Sequence, residues 1–370
     1  MKFSVNREKL QKALQKVGSI IGSRSMLPVL GNVMVQAEEG ALTLTTTDLE
    51  IRISTRVEAT VESAGVTTMP ARKLASLVGC FVGTDVVFDV DEKDHIKIRC
   101  GTSHFRLLGL PAADFPAAAE FTAQREIKIR EAEFKRMVSA ISYAVSADDS
   151  RKVLTGVLLS ARESMITLVA TDGKRLAMQE KTPDAVEGGD GDSIIPLKAA
   201  LEVRRLLDGD AQMSIRLGDK QCVFETAGFE LTTKLIEGNY PNYRQVVPAS
   251  FARSIELPTS VFLTKIETVS QVLSDSSSFI ILHFENNQLN LQASSSEVGE
   301  GSDMVEVAFE GEPFEVSFNP AYLADPLRNC DADTVRMKIN DPLNPVAIEG
   351  GEGFLYVIMP IRKSNAARTA

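Results

Sequence analysis

The chain has 370 residues, 44% hydrophobic and 24% charged, the make-up of a globular protein long enough for two or three cores. No apolar run approaches the roughly 18 residues needed to span a bilayer. The start, Met1-Lys2-Phe3-Ser4-Val5, alternates like a strand rather than a signal peptide, so a cytoplasmic protein without a membrane partner is expected. The net charge of −10 speaks against a uniformly basic nucleic-acid binder, and only a local basic face could engage DNA. The four scattered cysteines, Cys80, Cys100, Cys222 and Cys330, lack metal spacing, so no metal and no cofactor are expected.

Residues 6–21 place Leu10, Ala13, Leu14, Val17 and Ile21 on one helical face. Strands rich in β-branched residues follow, such as 41–47. Pro70 suits the first turn of a short helix over 71–78, since its missing N–H is not needed there. Strands over 85–90, 95–100 and 104–109 complete this stretch. The order then returns: helix 130–145, strand 165–170, helix 197–207, strands 212–217, 221–226 and 229–235. It returns again: helix 258–274, strands 279–284 and 288–293, a weaker helix 320–329 that Pro326 should kink or shorten, and strands 334–339, 345–349 and 354–358. Residues 184–192, rich in Gly and Asp, read as a surface loop.

This is a threefold repeat. Pro70, Pro196 and Pro320 lie 126 and 124 residues apart, and Phe105, Phe229 and Phe354 lie 124 and 125 apart. A period this long means three copies of one domain rather than a solenoid. Each copy holds two helices and many antiparallel strands, an α+β class. The domains are expected at 1–120, 128–249 and 254–370, the last with a polar tail at 363–370.

No enzyme motif stands out. There is no P-loop, no GxGxxG after a strand and no HExxH, and His95, His104 and His283 sit alone on strand patterns. Thr171-Asp172-Gly173-Lys174-Arg175 could suggest phosphate handling by an enzyme, but Asp172 has a counterpart in Asp48 at the same 124-residue step, which favours a turn role. The basic residues are better ordered. Lys9, Lys12 and Lys16 form one stripe on the first helix, away from its apolar face. Arg24, Arg72, Lys73, Lys135, Arg136, Lys198, Arg204 and Arg205 follow on or near helices of the first two copies, while the third is poorer in basic residues. Helices gathered on one side would make that side basic and suit sequence-independent phosphate contacts.

Seven motifs in order carry a resemblance. They are Leu27-Pro28-Val29-Leu30-Gly31-Asn32-Val33, Thr47-Asp48-Leu49-Glu50, Pro70-Ala71-Arg72-Lys73-Leu74, Leu110-Pro111-Ala112-Ala113-Asp114-Phe115-Pro116, Ala170-Thr171-Asp172-Gly173-Lys174-Arg175-Leu176-Ala177, Lys234-Leu235-Ile236-Glu237-Gly238-Asn239-Tyr240-Pro241-Asn242-Tyr243, and Val357-Ile358-Met359-Pro360-Ile361-Arg362. With them the whole chain resembles the bacterial DNA polymerase III β subunits, the β sliding clamps. The resemblance implies three tandem DNA clamp domains, with a head-to-tail homodimer closing into a six-domain ring, helices inside. Twelve helices about 10 Å apart, less about 5 Å of helix half-width, leave a bore about 28 Å wide, loose enough for a duplex to slide. The implied function is a processivity factor, not an enzyme. It encircles double-stranded DNA and tethers the DNA polymerase III α subunit, the clamp loader and other polymerases and repair proteins through short hydrophobic peptides. A clamp-fold scaffold that no longer loads on DNA is the alternative.

The resemblance also implies sites. Partner peptides would meet Leu154, Thr171, Gly173, Lys174, Arg175, Leu176, Pro241, Val246, Pro345, Val357, Met359, Pro360, Ile361 and Arg362. DNA would face Arg24, Arg72, Arg151, Lys152 and Lys198, together with the Lys9, Lys12 and Lys16 stripe. The dimer interface would use Phe105 and Leu107 on one side and Val272 and Leu273 on the other. Lys174 stands where many members have His and Ile361 where many have Met. The polar tail at 363–370 is a further departure from the family pattern.

Overall fold

The structure, a computed structural model, describes residues 1–22, 27–274 and 279–362. Among the described residues six α-helices lie in chain order: α1 (Arg7–Val17), α2 (Ala71–Cys80), α3 (Glu131–Ile141), α4 (Leu197–Leu206), α5 (Thr259–Val269) and α6 (Pro320–Asn329). Asn6 caps α1, its side-chain oxygen accepting from the Glu8 and Lys9 N–H groups at 3.1 and 3.2 Å. The apolar stripe Leu10, Ala13, Leu14 and Val17 is buried. Helices α1, α3 and α5 stop before the ends expected from periodicity. Each hands over to a single 3₁₀ turn, at Gly18–Ile20, Ser142–Ala144 and Ser270–Val272.

The chain divides into two compact units. The first comprises residues 1–132, 184–188 and 205–235 and holds two antiparallel sheets. A five-stranded sheet runs 60–63, 2–6, 85–90, 95–100, 103–108. A nine-stranded sheet runs 185–187, 125–130, 212–217, 221–225, 230–234, 51–58, 41–47, 32–38, 65–70. The second unit comprises residues 133–183, 189–204 and 236–370. Its eight-stranded sheet runs 191–196, 156–162, 165–171, 175–181, 354–358, 346–349, 334–339, 253–258, and its four-stranded sheet 299–306, 288–295, 280–285, 314–318.

The large sheet of each unit joins two copies of the repeat. In the first, Leu231 faces Ile53 and Thr232 faces Arg52 across the junction of strands 230–234 and 51–58. In the second, Leu176 faces Val357 and Ala177 faces Tyr356 where 175–181 meets 354–358. The last strand of copy two or three thus pairs with the fourth strand of the copy before it.

Two expectations are corrected. Residues 184–192 are not all loop: strand Ala185–Glu187 pairs with Glu126–Lys128, and a second strand starts at Gly191. Gly188, at φ +91°, makes the turn between them, where a Cβ would lie 2.1 Å from the Gln124 carbonyl oxygen. Helix α6 is neither shortened nor ended by Pro326. Proline removes the N–H that would reach the Tyr322 carbonyl four residues back. That carbonyl instead accepts from the Tyr356 hydroxyl at 2.7 Å.

Candidate partner-binding groove and basic surfaces

The turn between strands 165–171 and 175–181 is built by its own side chains. The Asp172 carboxylate accepts from the Lys174 and Arg175 N–H groups at 2.8 and 3.0 Å. The Thr171 hydroxyl donates to the Arg175 carbonyl at 2.6 Å and accepts from Gly173 N–H at 3.1 Å. The first copy repeats every bond. Asp48 accepts from Glu50 and Ile51 at 3.0 and 2.7 Å, and the Thr47 hydroxyl joins Ile51 and Leu49 at 2.9 and 3.1 Å. Asp172 is therefore a turn-former in a duplicated element.

Arg175 leaves this turn with every arm engaged. Its Nε meets Asp172 at 3.1 Å, Nη1 meets Asp325 at 2.5 Å, and Nη2 donates to the Tyr143 carbonyl at 2.6 Å. Its guanidinium lies 4.3 Å from the Tyr322 ring centroid and 5.7 Å from that of Tyr143. Burial alone would lower its pKa, but the hydrogen bond to Asp325 and the nearby carboxylates outweigh burial and push it up. The cation is thus permanent, and it ties the turn to α6.

Beside Arg175 the surface becomes apolar. Leu176 and Val357 are buried in a cluster with Leu158, Val169, Ile194 and Tyr243, and Ile236, Tyr240 and Val247 pack against it. Leu154 is buried. The chain then leaves strand 354–358 under control: Met359 N–H donates to the Lys174 carbonyl at 3.0 Å and Ile361 N–H to the Ser317 carbonyl at 2.8 Å. This pinning leaves Met359 43% and Ile361 36% exposed, and Val246 is 47% exposed. Large apolar side chains held open to water on a fixed backbone suit an apolar ligand. Pro345 and Pro360 are half-buried, while Pro241, Gly173, Lys174 and Arg362 are exposed.

Three domain families match the chain in order: the DNA polymerase III beta subunit N-terminal domain over residues 1–119, its central domain over 128–242 and its C-terminal domain over 244–362. The chain belongs to the DNA polymerase III β subunit family, the sliding clamps. The clamp is 33% identical over 368 residues to the beta sliding clamp of Escherichia coli K12, which spans 98% of this chain and 100% of that relative. To the beta sliding clamp of Vibrio cholerae it is 31% identical over 366 residues, with the same coverage. A crystal structure of the DnaN sliding clamp of Pseudomonas aeruginosa bound to griselimycin superposes with a TM-score of 0.94 at 31% identity, covering 98% of this chain and 100% of that one.

The basic residues of the clamp differ in how far they reach into solvent. Lys12, Lys152 and Lys198 are exposed. Lys9 is exposed but bonds Glu58 at 2.5 Å, and Lys16 is half-buried, its carbonyl accepting from Arg205 at 2.9 Å. Arg72 donates to the Ile21 carbonyl at 2.9 Å. Arg151 is the most committed. It bonds Asp148 at 2.9 Å, the Asp172 carbonyl at 2.9 Å and Ser146 at 3.2 Å, so it braces the groove turn. Arg24 and the tail at 363–370 lie outside the described residues.

On the edge strand 103–108 of the clamp, Phe105 is 43% exposed and Leu107 half-buried; Val272 and Leu273, at the 3₁₀ turn after α5, are half-buried. His95 pairs with Asp91 at 3.0 Å and His283 with Glu285 at 3.1 Å. Among the described residues no group of three or more His, Cys, Asp or Glu could hold a metal, and no helix is long and apolar enough to cross a membrane. Sequence reasoning missed Tyr143, Tyr322, Asp325 and Tyr356. The one available signal was Pro326, which had to orphan a carbonyl in any helix containing it.

Proposed function

We propose that the clamp closes as a head-to-tail homodimer of six domains, bounded at 1–120, 128–249 and 254–370. The ring encircles double-stranded DNA without reading sequence and works in the cytoplasm. Through the groove from Leu154 to Arg362 it tethers the DNA polymerase III α subunit, the clamp loader and other polymerases and repair proteins. It does so by topology and binding, not catalysis, and Asp172, held in its turn as Asp48 is in its own, needs no catalytic role.

One observation carries the ring. Two copy-to-copy junctions lie within the chain, each formed by the last strand of one copy on the fourth strand of the preceding copy. By the same rule, strand 103–108, the last of copy one, and strand 299–306, the fourth of copy three, lack such partners among the described residues, and both are sheet edges. An unpaired edge of this kind is a template for strand addition. Carrying over the register of Phe354 opposite Gln179 puts Phe105 opposite residue 303 of a second copy. The first edge bears Arg106, the second Glu300, Asp303 and Glu306, so unlike edges attract and the two acidic edges repel. Mutual pairing of two chains closes both edges at once.

The DNA reading rests on the exposed Lys12, Lys152 and Lys198. The groove reading rests on the exposed Val246, Met359 and Ile361, the last two held open by pinned backbone. Sedimentation tests the first assembly step: a species near twice the 40.2 kDa chain mass is expected, and a monomer at micromolar concentration would contradict the ring. Titration with a labelled peptide of the Gln-Leu-x-Leu-Phe type tests the groove. Saturable binding that disappears on truncation before Met359 is expected.

A further inference from the structure

Three residues of one helical turn, Tyr322, Asp325 and Pro326, converge on two residues of neighbouring strands, Arg175 and Tyr356. We infer that Pro326 and Tyr356 act together as a positioning pair for the partner groove, holding Tyr322 and Arg175 in the arrangement that shapes its wall. This rests on the groove reading above.

The geometry runs in steps. Pro326 has no N–H, so the Tyr322 carbonyl four residues back loses its partner in the helical ladder. A buried carbonyl without a donor would be costly. Tyr356 supplies the donor at 2.7 Å. It is wholly buried on the strand that pairs with 175–181, directly opposite Ala177 and two residues along that strand from Arg175. Burial also pushes its hydroxyl pKa far up, so it remains a donor at any physiological pH.

Fixing the carbonyl fixes the residue, and the Tyr322 ring then lies over the Arg175 guanidinium at 4.3 Å. Asp325, on the same turn, holds Nη1 of that guanidinium. Arg175 in turn sits between Lys174, whose carbonyl carries Met359, and Leu176, in the apolar floor. The Tyr356–Tyr322 hydrogen bond that Pro326 makes necessary is therefore one step removed from the groove without lining it. Each member makes sense only with the other. An ordinary residue at 326 would satisfy Tyr322 within the helix and take away the acceptor of the buried hydroxyl, while Phe at 356 would leave the carbonyl without its donor.

This mutual dependence gives the test. Peptide affinity is measured on the full-length dimer, well below its melting temperature, for wild type, Tyr356→Phe, Pro326→Ala and the double variant. Loss of one buried hydrogen bond should weaken peptide binding about tenfold in Tyr356→Phe, with dimer mass unchanged. In the double variant the backbone N–H restored by Pro326→Ala takes the Tyr322 carbonyl, and affinity should return to within about twofold of wild type. Wild-type affinity in Tyr356→Phe would overturn the inference, as would a double variant no better than the single. Wild type that binds no peptide would instead remove the groove reading on which the inference stands.

Discussion

Leu49 and Gly173 occupy the same position of two bond-for-bond equivalent turns, and both take a left-handed backbone, φ +79° and +87°. In copy two glycine meets that demand without strain. In copy one leucine does not, and its side chain is still 46% exposed. The left-handed conformation costs a non-glycine residue about 1–2 kcal/mol, and glycine returns about 0.5–1 kcal/mol as chain entropy. Leu49→Gly should therefore stabilise the protein by roughly 0.5–1 kcal/mol in urea unfolding. Gly173→Ala should do the opposite, since its Cβ would also press on Arg151 Nη1 at 3.1 Å. Destabilisation by Leu49→Gly would mean that contacts of the leucine side chain dominate.

Arg175 holds two carboxylates and a carbonyl with its side chain 11% exposed. Arg175→Lys keeps the charge but cannot make the three bonds at once. Breaking a mostly buried pair costs about 3–5 kcal/mol, and partial exposure of Asp325 trims this, so a loss of about 2–3 kcal/mol is expected. Peptide affinity should fall with it. A variant unfolding within about 0.5 kcal/mol of wild type would show that the hub is dispensable.

The Tyr143 hydroxyl is buried and finds no hydrogen-bond partner among the described residues, while its ring packs 6.0 Å from Tyr356 and its carbonyl serves Arg175. Burial raises the hydroxyl pKa far above its usual range, so it is neutral. An unpaired buried hydroxyl costs about 1–3 kcal/mol. Tyr143→Phe should raise stability by about 1 kcal/mol, read as a higher denaturation midpoint at unchanged slope.

Asp91 closes the turn before strand 95–100. Hydrogen bonds from His95 N–H, against some desolvation, and then from Lys93 N–H hold its carboxyl down at about 2. The folded value lies below the ordinary one of about 3.9. The linked stability is therefore present above pH 4 and lost as pH falls toward 2. Between these limits Asp91→Asn should melt with a shallower pH slope than wild type. Identical slopes would remove Asp91 from the acid limb.

Much of this was legible in the sequence. Helix faces, β-branched strands and the recurring prolines have local causes, and the strands fall within a residue or two of where periodicity placed them. The shared role of Asp48 and Asp172 was legible because duplication repeats a side-chain bond as faithfully as a backbone. What failed was non-local. Strand Ala185–Glu187 forms only because 126–128 offers an edge. The intact α6 depends on a tyrosine 30 residues beyond its proline. Arg175 was expected as a groove residue, but its carboxylate and tyrosine partners come from three separate elements that no spacing links.

The proposed interface and the proposed groove can be tested separately. Phe105→Glu places a charge within an edge expected to face Asp303 of a second copy, and should shift the sedimenting species from dimer to monomer. Val272→Ala with Leu273→Ala should act the same way more weakly. Peptide affinity should survive both, because groove and interface share no residue. A dimer that persists in Phe105→Glu would place the interface elsewhere.

Encirclement is tested most directly by loading the protein on a nicked circular plasmid with its clamp loader, removing free protein, and then linearising the DNA. A closed ring should stay on the circle through a salt wash and slide off once ends appear. Protein that never stays on the circle, or remains bound equally to linear DNA, would contradict retention by topology.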